Sequence, residues 1–251
     1  MDKRVDVVMS VKDHHRNFMA CMESLLQQRH LNKIYCVLDG CESTVRETIA
    51  AFRSEQIIVI INETCIGLSA SLNSAIERAE SEYIARMDCD DICSADRFEV
   101  QVKFMDMNKS VDVCGMYARG IRSCGNSLVL KRKLLHSELT QNMWREPPFI
   151  HPTVMARRDF FKTNPYQAWF LRAQDWELFS RVTKKYTFAN IPVVGIDYSI
   201  GGGISLSGLK YKFCAGLLAC KRTAKLYMIP FVFLDCLKML FGIALRDFNG
   251  K

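Results

Sequence analysis

The first hundred residues alternate between two hydrophobic periods, and this alternation limits the fold more than any other feature. Four apolar segments of strand-like composition, at residues 5–11, 33–39, 56–62 and 82–88, are separated by three segments whose apolar residues recur at helical spacing. A strand–helix–strand order of this kind is typical of a parallel sheet with helices packed on its faces. The sequence therefore predicts an α/β fold.

Acidic residues follow the predicted strands in a way that suggests a ligand site. Asp13 comes after the first strand, Asp39 ends the second and Asp88 ends the fourth. In open parallel sheets ligands bind beyond the carboxyl ends of the strands, so these three side chains would share one rim. Asp is also a common helix cap, so each position alone is ordinary. The coincidence of all three favours a functional rim.

The segment MDCDD places Asp88, Asp90 and Asp91 close together just before a predicted helix. Neighbouring carboxylates repel one another unless a positive charge lies among them. A D-x-D at a strand end lets two carboxylates flank Mg²⁺ or Mn²⁺ and leaves other positions of the ion open for a diphosphate. A solvated turn explains the same residues. The D-x-D motif alone is weak evidence for a metal site, and the surrounding sequence has to distinguish this site from a solvated turn.

Composition limits the class of protein. A chain of 251 residues that is 49% hydrophobic can bury one large α/β domain or two small ones. The cysteine count of eleven is odd and the chain has no C-x-x-C pair, so we expect reduced thiols in a cytoplasmic protein. The start of the sequence lacks a long apolar segment, and nothing predicts export. The net charge of +7 indicates an anionic partner without identifying it.

The second half of the chain is less regular. It contains predicted strands at 111–121, 127–135 and 188–200 and predicted helices at 136–146 and 173–186. The glycine-rich segment at 201–208 marks a boundary. We therefore expect a catalytic domain over 1–205, with a nucleotide-binding half at 1–110 and an acceptor-binding half at 111–205, and a basic and apolar helical extension at 206–251.

Several ordered motifs resemble glycosyltransferase family 2, which comprises nucleotide-sugar-dependent enzymes with the GT-A fold. The resemblance runs from about residue 5 to about residue 198. The matching motifs are VVMSVKD, YCVLDGCEST, GLSASLNSAIERAESEYIARMDCDDICSADRFEVQ, HPTVMARRDFF and AQDWELFSR. Ordered landmarks at suitable distances are far more specific than a single D-x-D.

The resemblance implies a role for each matching position. Asp39 would contact the nucleobase or ribose, Asp88 the ribose side of the nucleotide, and Asp90 the metal ion that bridges the diphosphate, Mn²⁺ or Mg²⁺. Asp91 would hold the other aspartates in position without contacting the ligand, or it would cap a helix. The implied site is, for the nucleotide sugar, Ser10, Asp13, Asp39 and Asp88, and for the metal, Asp90 and Asp88.

The same resemblance implies a general base. Family members carry a Glu–Asp pair at the start of a later helix, and this chain has Gln174 and Asp175 there. Asp175 would take the proton of the attacking hydroxyl. A first-turn Asp favoured by the helix dipole is the structural alternative. A single displacement with the base opposite the leaving group would invert the anomeric centre.

Some positions depart from the family or stay open. Lys12 and Asp13 stand where relatives often have Tyr–Asn, and Leu72 stands where many have Arg. The choice of UDP as the donor nucleotide therefore rests on the family resemblance alone.

His151 is explained at least as well by a hydrogen bond within its loop as by a metal or phosphate contact. The adjacent His14 and His15 are interpreted as exposed, and Gly67 as serving a turn with an unusual backbone angle.

The C-terminal extension has the composition of a membrane-surface segment. Residues 208–225 hold five basic residues and no acidic one, and an apolar run follows at 226–245. Asp235 and Lys238 lie near the middle of that run, where each would cost about 2.5–3.5 kcal/mol on insertion scales, which argues against a span. With Gly242 and Arg246 they form a narrow polar stripe on a helical wheel. This pattern favours attachment to an anionic membrane surface; a helix pair packed on the catalytic domain or on another subunit is the alternative.

The sequence thus predicts an inverting, metal-assisted transferase that moves a hexose from a UDP-sugar to a hydroxyl of a glycan or a lipid-linked saccharide. It would act at the inner face of the plasma membrane, as in assembly of a bacterial surface polysaccharide such as an O-antigen. We expect no nucleic-acid partner and leave a homo-oligomer open. A nucleotidyltransferase is one alternative, although SVKDHHRN lacks the glycine-rich phosphate loop that such an enzyme carries. A non-catalytic membrane-binding protein is the other.

Overall fold

A computed structural model of the chain describes residues 2–13, 15–122, 125–200 and 206–249. For residues 206–207 and 241–249 the description covers the helical backbone only.

The first half forms a parallel sheet, as the periodicity predicts. Its strands are β1 (Val5–Val11), β2 (Leu31–Asp39), β3 (Ile57–Asn62) and β4 (Tyr83–Arg86), hydrogen-bonded in the order β3–β2–β1–β4. All three pairings are parallel. The connecting helices are α1 (Phe18–Leu26), α2 (Ser43–Ala50) and α3 (Leu68–Arg78). The crossovers bring the carboxyl ends of β1, β2 and β4 to one rim.

The second half extends the same sheet with mixed pairings. In chain order its elements are β5 (Ile92–Cys93), α4 (Arg97–Met107), β6 (Val113–Arg122), β7 (Ser127–Leu130), α5 (His136–Asn142), β8 (Met155–Arg157), α6 (Arg158–Thr163), α7 (Gln174–Val182) and β9 (Phe188–Ile200). The order continues from β4 through β8, β6 and β9 to β5, with β7 paired to β6. The β4–β8, β8–β6 and β9–β5 pairs are antiparallel, and the β6–β9 pair is parallel. The strand predicted at 127–135 ends at Leu130.

Two hydrophobic cores lie on the two faces of the sheet. One packs α1 and α4 against alternate residues of β1, β2 and β4. The other packs α3, α6 and α7 against the opposite face and contains a group of edge-to-face aromatic rings: Phe149, Phe160, Phe179 and Phe188. Because alternate residues of a strand face opposite sides, both cores draw on the same buried strands.

The extension begins with α8 (Leu206–Arg222), which packs against α7. Glu177 on α7 is 1% exposed, and its carboxylate accepts hydrogen bonds from Arg181 at 3.1 Å and Arg222 at 2.9 Å. Arg222 also donates to the Ser180 hydroxyl at 2.8 Å. A buried carboxylate with these partners fixes α8 on the catalytic domain. The boundary expected near residue 205 falls on 201–205, outside the described residues.

The last helix, α9 (Ile229–Asn249), packs on α8. Asp235, a member of the predicted polar stripe, lies 3.5 Å from Arg145 of the catalytic domain. Lys238 is exposed, and the side chains of Gly242 and Arg246 lie outside the described residues. The outer face of α9 is apolar: Ile229, Phe231, Phe233, Leu234 and Leu240 are 38–55% exposed. Across the described ranges, no helix combines the length and the apolarity that crossing a bilayer requires.

Candidate active site

Four of the predicted site residues surround one cleft at the carboxyl rim of the sheet. The cleft has a volume of about 460 Å³, and its lining includes Ser10, Asp13, Asp39 and Asp90. Lys12, His15, Ala168 and Leu171 also line it. The structure therefore brings together residues that are far apart in the sequence, because β1, β2 and β4 all end at this rim.

Asp39 holds the loop that follows β3. Its buried carboxylate accepts the backbone N–H groups of Ile66 and Gly67, both at 2.8 Å, and the side-chain amide of Asn62 at 3.1 Å. Burial opposes ionisation, yet these hydrogen bonds lower the pKa of the Asp39 carboxyl overall. Gly67 has a φ of 90°, as its predicted turn requires. Asp39 thus shapes the floor of the cleft as a stable anion.

The carboxylates of Asp88, Asp90 and Asp91 offer oxygen atoms that all lie within 4.8 Å of one another. The side chains of Asp88 and Asp90 are 31% and 33% exposed, whereas Asp91 is fully buried. Burial, followed by the charge of Asp88, raises the pKa of both Asp90 and Asp91, to about 8 for Asp91. Oδ2 of Asp91 is buried without a hydrogen-bond partner. Three crowded oxygen donors and one unsatisfied oxygen fit a hard divalent cation.

The only described ion-pair partner of Asp88 is a buried arginine of β4. Arg86 is 3% exposed and forms an ion pair with Asp88 through Nη2, while its Nε and Nη1 are buried without a hydrogen-bond partner. A buried guanidinium is stabilised by a nearby carboxylate and compensates its charge in turn. Arg86 therefore supplies part of the positive charge that the acidic cluster requires.

The backbone of the acidic loop is fixed from two sides. The carbonyl oxygen of Asp90 accepts hydrogen bonds from the Ser199 hydroxyl at 2.7 Å and from the Asn17 amide at 3.1 Å. The Asp91 carboxylate accepts the Ser199 N–H at 2.9 Å. Asp91 does not cap α4, because that helix begins only at Arg97. The alternative of a helix cap was wrong, and Asp91 instead ties the acidic loop to the end of β9.

Asp175 lies in the first turn of α7, as predicted, and is partly exposed. It lies two residues after Ala173, the N-cap residue of α7, which adopts a left-handed backbone conformation with φ of 55°. Burial raises the pKa of the Asp175 carboxyl, and the Trp176 N–H, Arg86 and Arg132 oppose this shift. Asp175 and Asp88 thus share Arg86 as a charged neighbour. Asp175 is therefore linked to the acidic cluster through Arg86, and it lies outside the lining of the cleft.

His151 belongs to the protein interior behind this site. Its Nε2 is 2.8 Å from the Tyr166 hydroxyl, and burial together with Arg86 lowers the pKa of the imidazole well below its usual range. The hydrogen bond that the structural interpretation expected is present, and its partner lies 15 residues further along the chain instead of within the same loop. His15, by contrast, lines the cleft with Nε2 at 4.0 Å from Asp90 Oδ2. His14 lies outside the described residues.

Sequence reasoning missed Arg86, Ser199 and His15 as members of the site. Arg86 had a signal, since a single arginine inside the apolar strand YIAR is unusual unless it has a buried partner. Ser199 had none, because it reaches Asp90 across 109 residues of sequence and only through the β6–β9 pairing.

Comparison with solved structures identifies the class of this fold. The TarS 1–349 structure from S. aureus matches with a TM-score of 0.70 over 92% of this chain and 72% of that chain, at 14% identity. The mannosyltransferase PcManGT from Pyrobaculum calidifontis, solved with GDP-Man and Mn²⁺, matches with a TM-score of 0.68 over 98% of this chain and 76% of that chain, at 13% identity. The architecture is that of a GT-A glycosyltransferase.

The sequence comparisons make the assignment more specific. The model of Glycosyl transferase family 2 matches residues 6–164, and the chain belongs to this family. The amylovoran biosynthesis glycosyltransferase AmsE of Erwinia amylovora is 29% identical over 73% of this chain and 70% of its own length. The putative glycosyltransferase EpsE of Bacillus subtilis is 32% identical over 64% of this chain and 58% of its own length. The protein is a glycosyltransferase, and neither the nucleotidyltransferase nor the non-catalytic alternative is supported.

The pairing of Arg86 with Asp88 generates a prediction about stability. Arg86→Met removes the buried cation, so the neighbouring carboxylates repel one another and their pKa values in the folded state rise. Stability of the variant should then fall as pH rises, because the folded state holds protons that the unfolded state releases. Breaking a buried pair costs about 3–5 kcal/mol. We expect this loss in urea unfolding at about pH 8 and a smaller loss at about pH 5.

The matched control for this prediction is Arg119→Met. Arg119 pairs with Asp197 at 2.7 Å, but its side chain is 54% exposed. The loss should be about 1 kcal/mol or less and nearly independent of pH over this range. An equal loss in both variants, or a loss for Arg86→Met that grows towards low pH, would contradict the role given to Arg86.

Proposed function

We propose that this glycosyltransferase moves a hexose from a UDP-sugar to a hydroxyl of a glycan or a lipid-linked saccharide, with inversion at the anomeric carbon. The observation that carries the proposal is the group of three carboxylates within 4.8 Å of one another, of which Asp90 lines a cleft of about 460 Å³. Solved neighbours support a nucleotide-sugar donor, since TarS is described in complex with UDP and UDP-GlcNAc, and PcManGT with GDP-Man.

The acidic cluster would hold Mn²⁺ or Mg²⁺ through Asp90 and Asp88, with Asp91 supporting them from the interior. When bound, such an ion neutralises charge that develops on the diphosphate as the sugar departs. The unsatisfied Oδ2 of Asp91 and the raised pKa of Asp90 support this assignment, because burial and the charge of Asp88 disfavour the ionised carboxylate that a bound cation would stabilise. Ser10, Asp13, Asp39 and Asp88 would contact the nucleotide sugar along the cleft.

Asp175 would act as the general base. It would accept the proton of the acceptor hydroxyl as that oxygen attacks the anomeric carbon. A carboxyl whose pKa is raised is a stronger base than a solvated Asp, and it still ionises because Arg86 and Arg132 lie near it. Attack from the side of Asp175, opposite the leaving diphosphate, accounts for the proposed inversion.

The site of action would be the inner face of the plasma membrane. The outer face of α9 is apolar, and Lys210 and Lys221 of α8 are exposed. Apolar side chains inserted among headgroups and lysines drawn to anionic lipid would hold the protein there. This location would fit an acceptor that is itself carried on a membrane lipid.

The metal assignment predicts how donor binding responds to one carboxylate. UDP binding measured by calorimetry should require Mn²⁺. The Asp90→Ala variant should lose this Mn²⁺-dependent binding of UDP. Loss of a residue that only hydrogen-bonds to a metal ligand already costs about 10–100-fold in metal affinity, so loss of a ligand itself should cost at least about 100-fold. Asp96→Ala, an exposed carboxylate nearby in the sequence, is the control and should bind as wild type. Metal-independent UDP binding by the wild type would refute the assignment.

The base assignment predicts a split between binding and turnover. Asp175→Asn should keep the affinity for the donor while kcat falls about 10²–10⁴-fold, the range that general base catalysis contributes. Because the pKa of the Asp175 carboxyl is raised, wild-type kcat should decline at low pH from a point above the usual carboxyl range, and the variant should lack this decline. Asp159→Asn, in the first turn of α6, is the control. Equal losses of affinity and turnover would contradict the assignment.

The membrane assignment predicts selective loss of vesicle binding. Phe231→Ser together with Leu234→Ser should reduce sedimentation with phosphatidylglycerol vesicles, since both side chains are about half exposed on α9. Val59→Ser together with Ile61→Ser removes similarly exposed apolar side chains from the edge strand β3 and should leave sedimentation unchanged. Similar sedimentation of wild type and both double variants would argue against attachment through α9.

A further inference from the structure

The α6–α7 connection, residues 164–173, is fixed to α3 by hydrogen bonds at two places. The Asn73 side chain donates to the Tyr166 carbonyl oxygen at 2.8 Å and accepts the Tyr166 N–H at 2.9 Å. Further along, the Ser69 hydroxyl donates to the carbonyl oxygen of Phe170 at 3.3 Å, and the Phe170 ring is buried. The connection therefore has a defined conformation although it lies outside any helix or strand.

This fixed connection nevertheless presents two large apolar side chains to solvent. Trp169 is 64% exposed and Leu171 is 63% exposed, on either side of the buried Phe170. The indole of Trp169 is held in place, because its N–H donates to the Gln167 side chain at 3.2 Å and its ring packs edge-to-face on Phe170 with 5.0 Å between ring centroids. A single exposed apolar residue is ordinary on a protein surface. Two of them on one anchored loop, one with a fixed indole, indicate a surface that a ligand covers.

The α6–α7 connection also forms part of the rim of the cleft. Ala168 and Leu171 belong to the described lining of the cleft, whereas Trp169, between them in the chain, is not part of it. Trp169 therefore lies at the outside of this rim. Asp175 follows Leu171 in the chain at a distance of at most about 14 Å. The connection thus runs from the cleft to the proposed base, the two places that an acceptor hydroxyl has to approach together.

We propose that the exposed indole of Trp169 is the surface on which a sugar ring of the acceptor stacks. This assignment rests on the proposed transferase function and identifies where its acceptor binds. The C–H groups on one face of a pyranose carry partial positive charge, and the face of an indole carries partial negative charge, so the two surfaces attract each other. The donor sugar is bonded to its nucleotide inside the cleft, and the ring outside the rim is therefore that of the acceptor.

The experiment uses the full chain and simple sugars as probes: the methyl α- and β-pyranosides of glucose, galactose, mannose and N-acetylglucosamine, with and without UDP and Mg²⁺. The sequence holds three tryptophans, so three indole N–H signals are expected by NMR, and the one absent from Trp169→Leu belongs to Trp169. At least one pyranoside should shift the Trp169 signal. The signal of the buried Trp176 should not respond.

Substitutions separate aromatic stacking from plain apolar contact, with pyranoside affinity measured by saturation-transfer NMR. Trp169→Leu keeps an apolar side chain but removes the aromatic face, and it should weaken binding about fivefold to tenfold. Trp169→Phe restores an aromatic face and should recover most of the affinity. Tyr227→Leu removes an aromatic ring that is 71% exposed near the start of α9, and this control should bind as wild type.

Three results would overturn the proposal. The first is equal pyranoside affinity in wild type and Trp169→Leu. The second is the failure of every pyranoside to shift the Trp169 signal. The third is a Trp169→Leu variant that loses sedimentation with phosphatidylglycerol vesicles but keeps its pyranoside affinity, because Trp169 would then be a membrane contact.

Calorimetry of UDP binding by the wild type distinguishes this proposal from the proposed function, because it reports on the donor site alone. Mn²⁺-dependent UDP binding together with pyranosides that ignore Trp169 would leave the transferase standing and remove the acceptor surface. Pyranoside stacking on Trp169 without any UDP binding would support the sugar surface and count against the proposed donor chemistry.

Discussion

The compensation of negative charge at the end of β4 is the constraint on which the rest of the site depends. The three carboxylates of Asp88, Asp90 and Asp91 lie within 4.8 Å of one another in the loop that follows β4. Ser199, near the end of β9, fixes this loop by hydrogen bonds to Asp90 and Asp91. Arg86, the last residue of β4, offsets part of this negative charge through its ion pair with Asp88. Arg97, fully buried in α4, donates to the Arg86 carbonyl oxygen at 3.0 Å and so fixes the strand end on which the acidic loop begins.

The two halves of the sheet serve this arrangement differently. The parallel half collects strand ends at one rim, and Asp39 then holds the loop after β3 against the cleft. The mixed half supplies the opposite wall and the long β9 strand, whose end anchors the acidic loop. The lining of the cleft therefore draws on both halves of the chain, from Ser10 to Asp90 and at Ala168 and Leu171.

Much of the fold could be predicted from the sequence because buried parallel strands leave a strong hydrophobic pattern. The bounds of β1, β2 and β3 agree with the prediction within two residues, and so does β9. Strand ends carry the acidic residues, so the rim was predictable as well. The partners of those residues were not: the link between Ser199 and Asp91 depends on sheet register, which no local pattern encodes. Likewise, an apolar run with Asp235 in it does not reveal that this carboxylate approaches Arg145.

The contact between α7 and α8 has a consequence for how the protein can be shortened. Removing everything after residue 205 would delete Arg222, which donates to the carboxylate and the carbonyl oxygen of Glu177. Glu177 would keep Arg181 but gain an open, solvent-facing side where Ala215 and Ala219 now cover α7. Since Asp175 lies two residues earlier on the same helix, a truncation designed to improve solubility would loosen the helix that carries the proposed base.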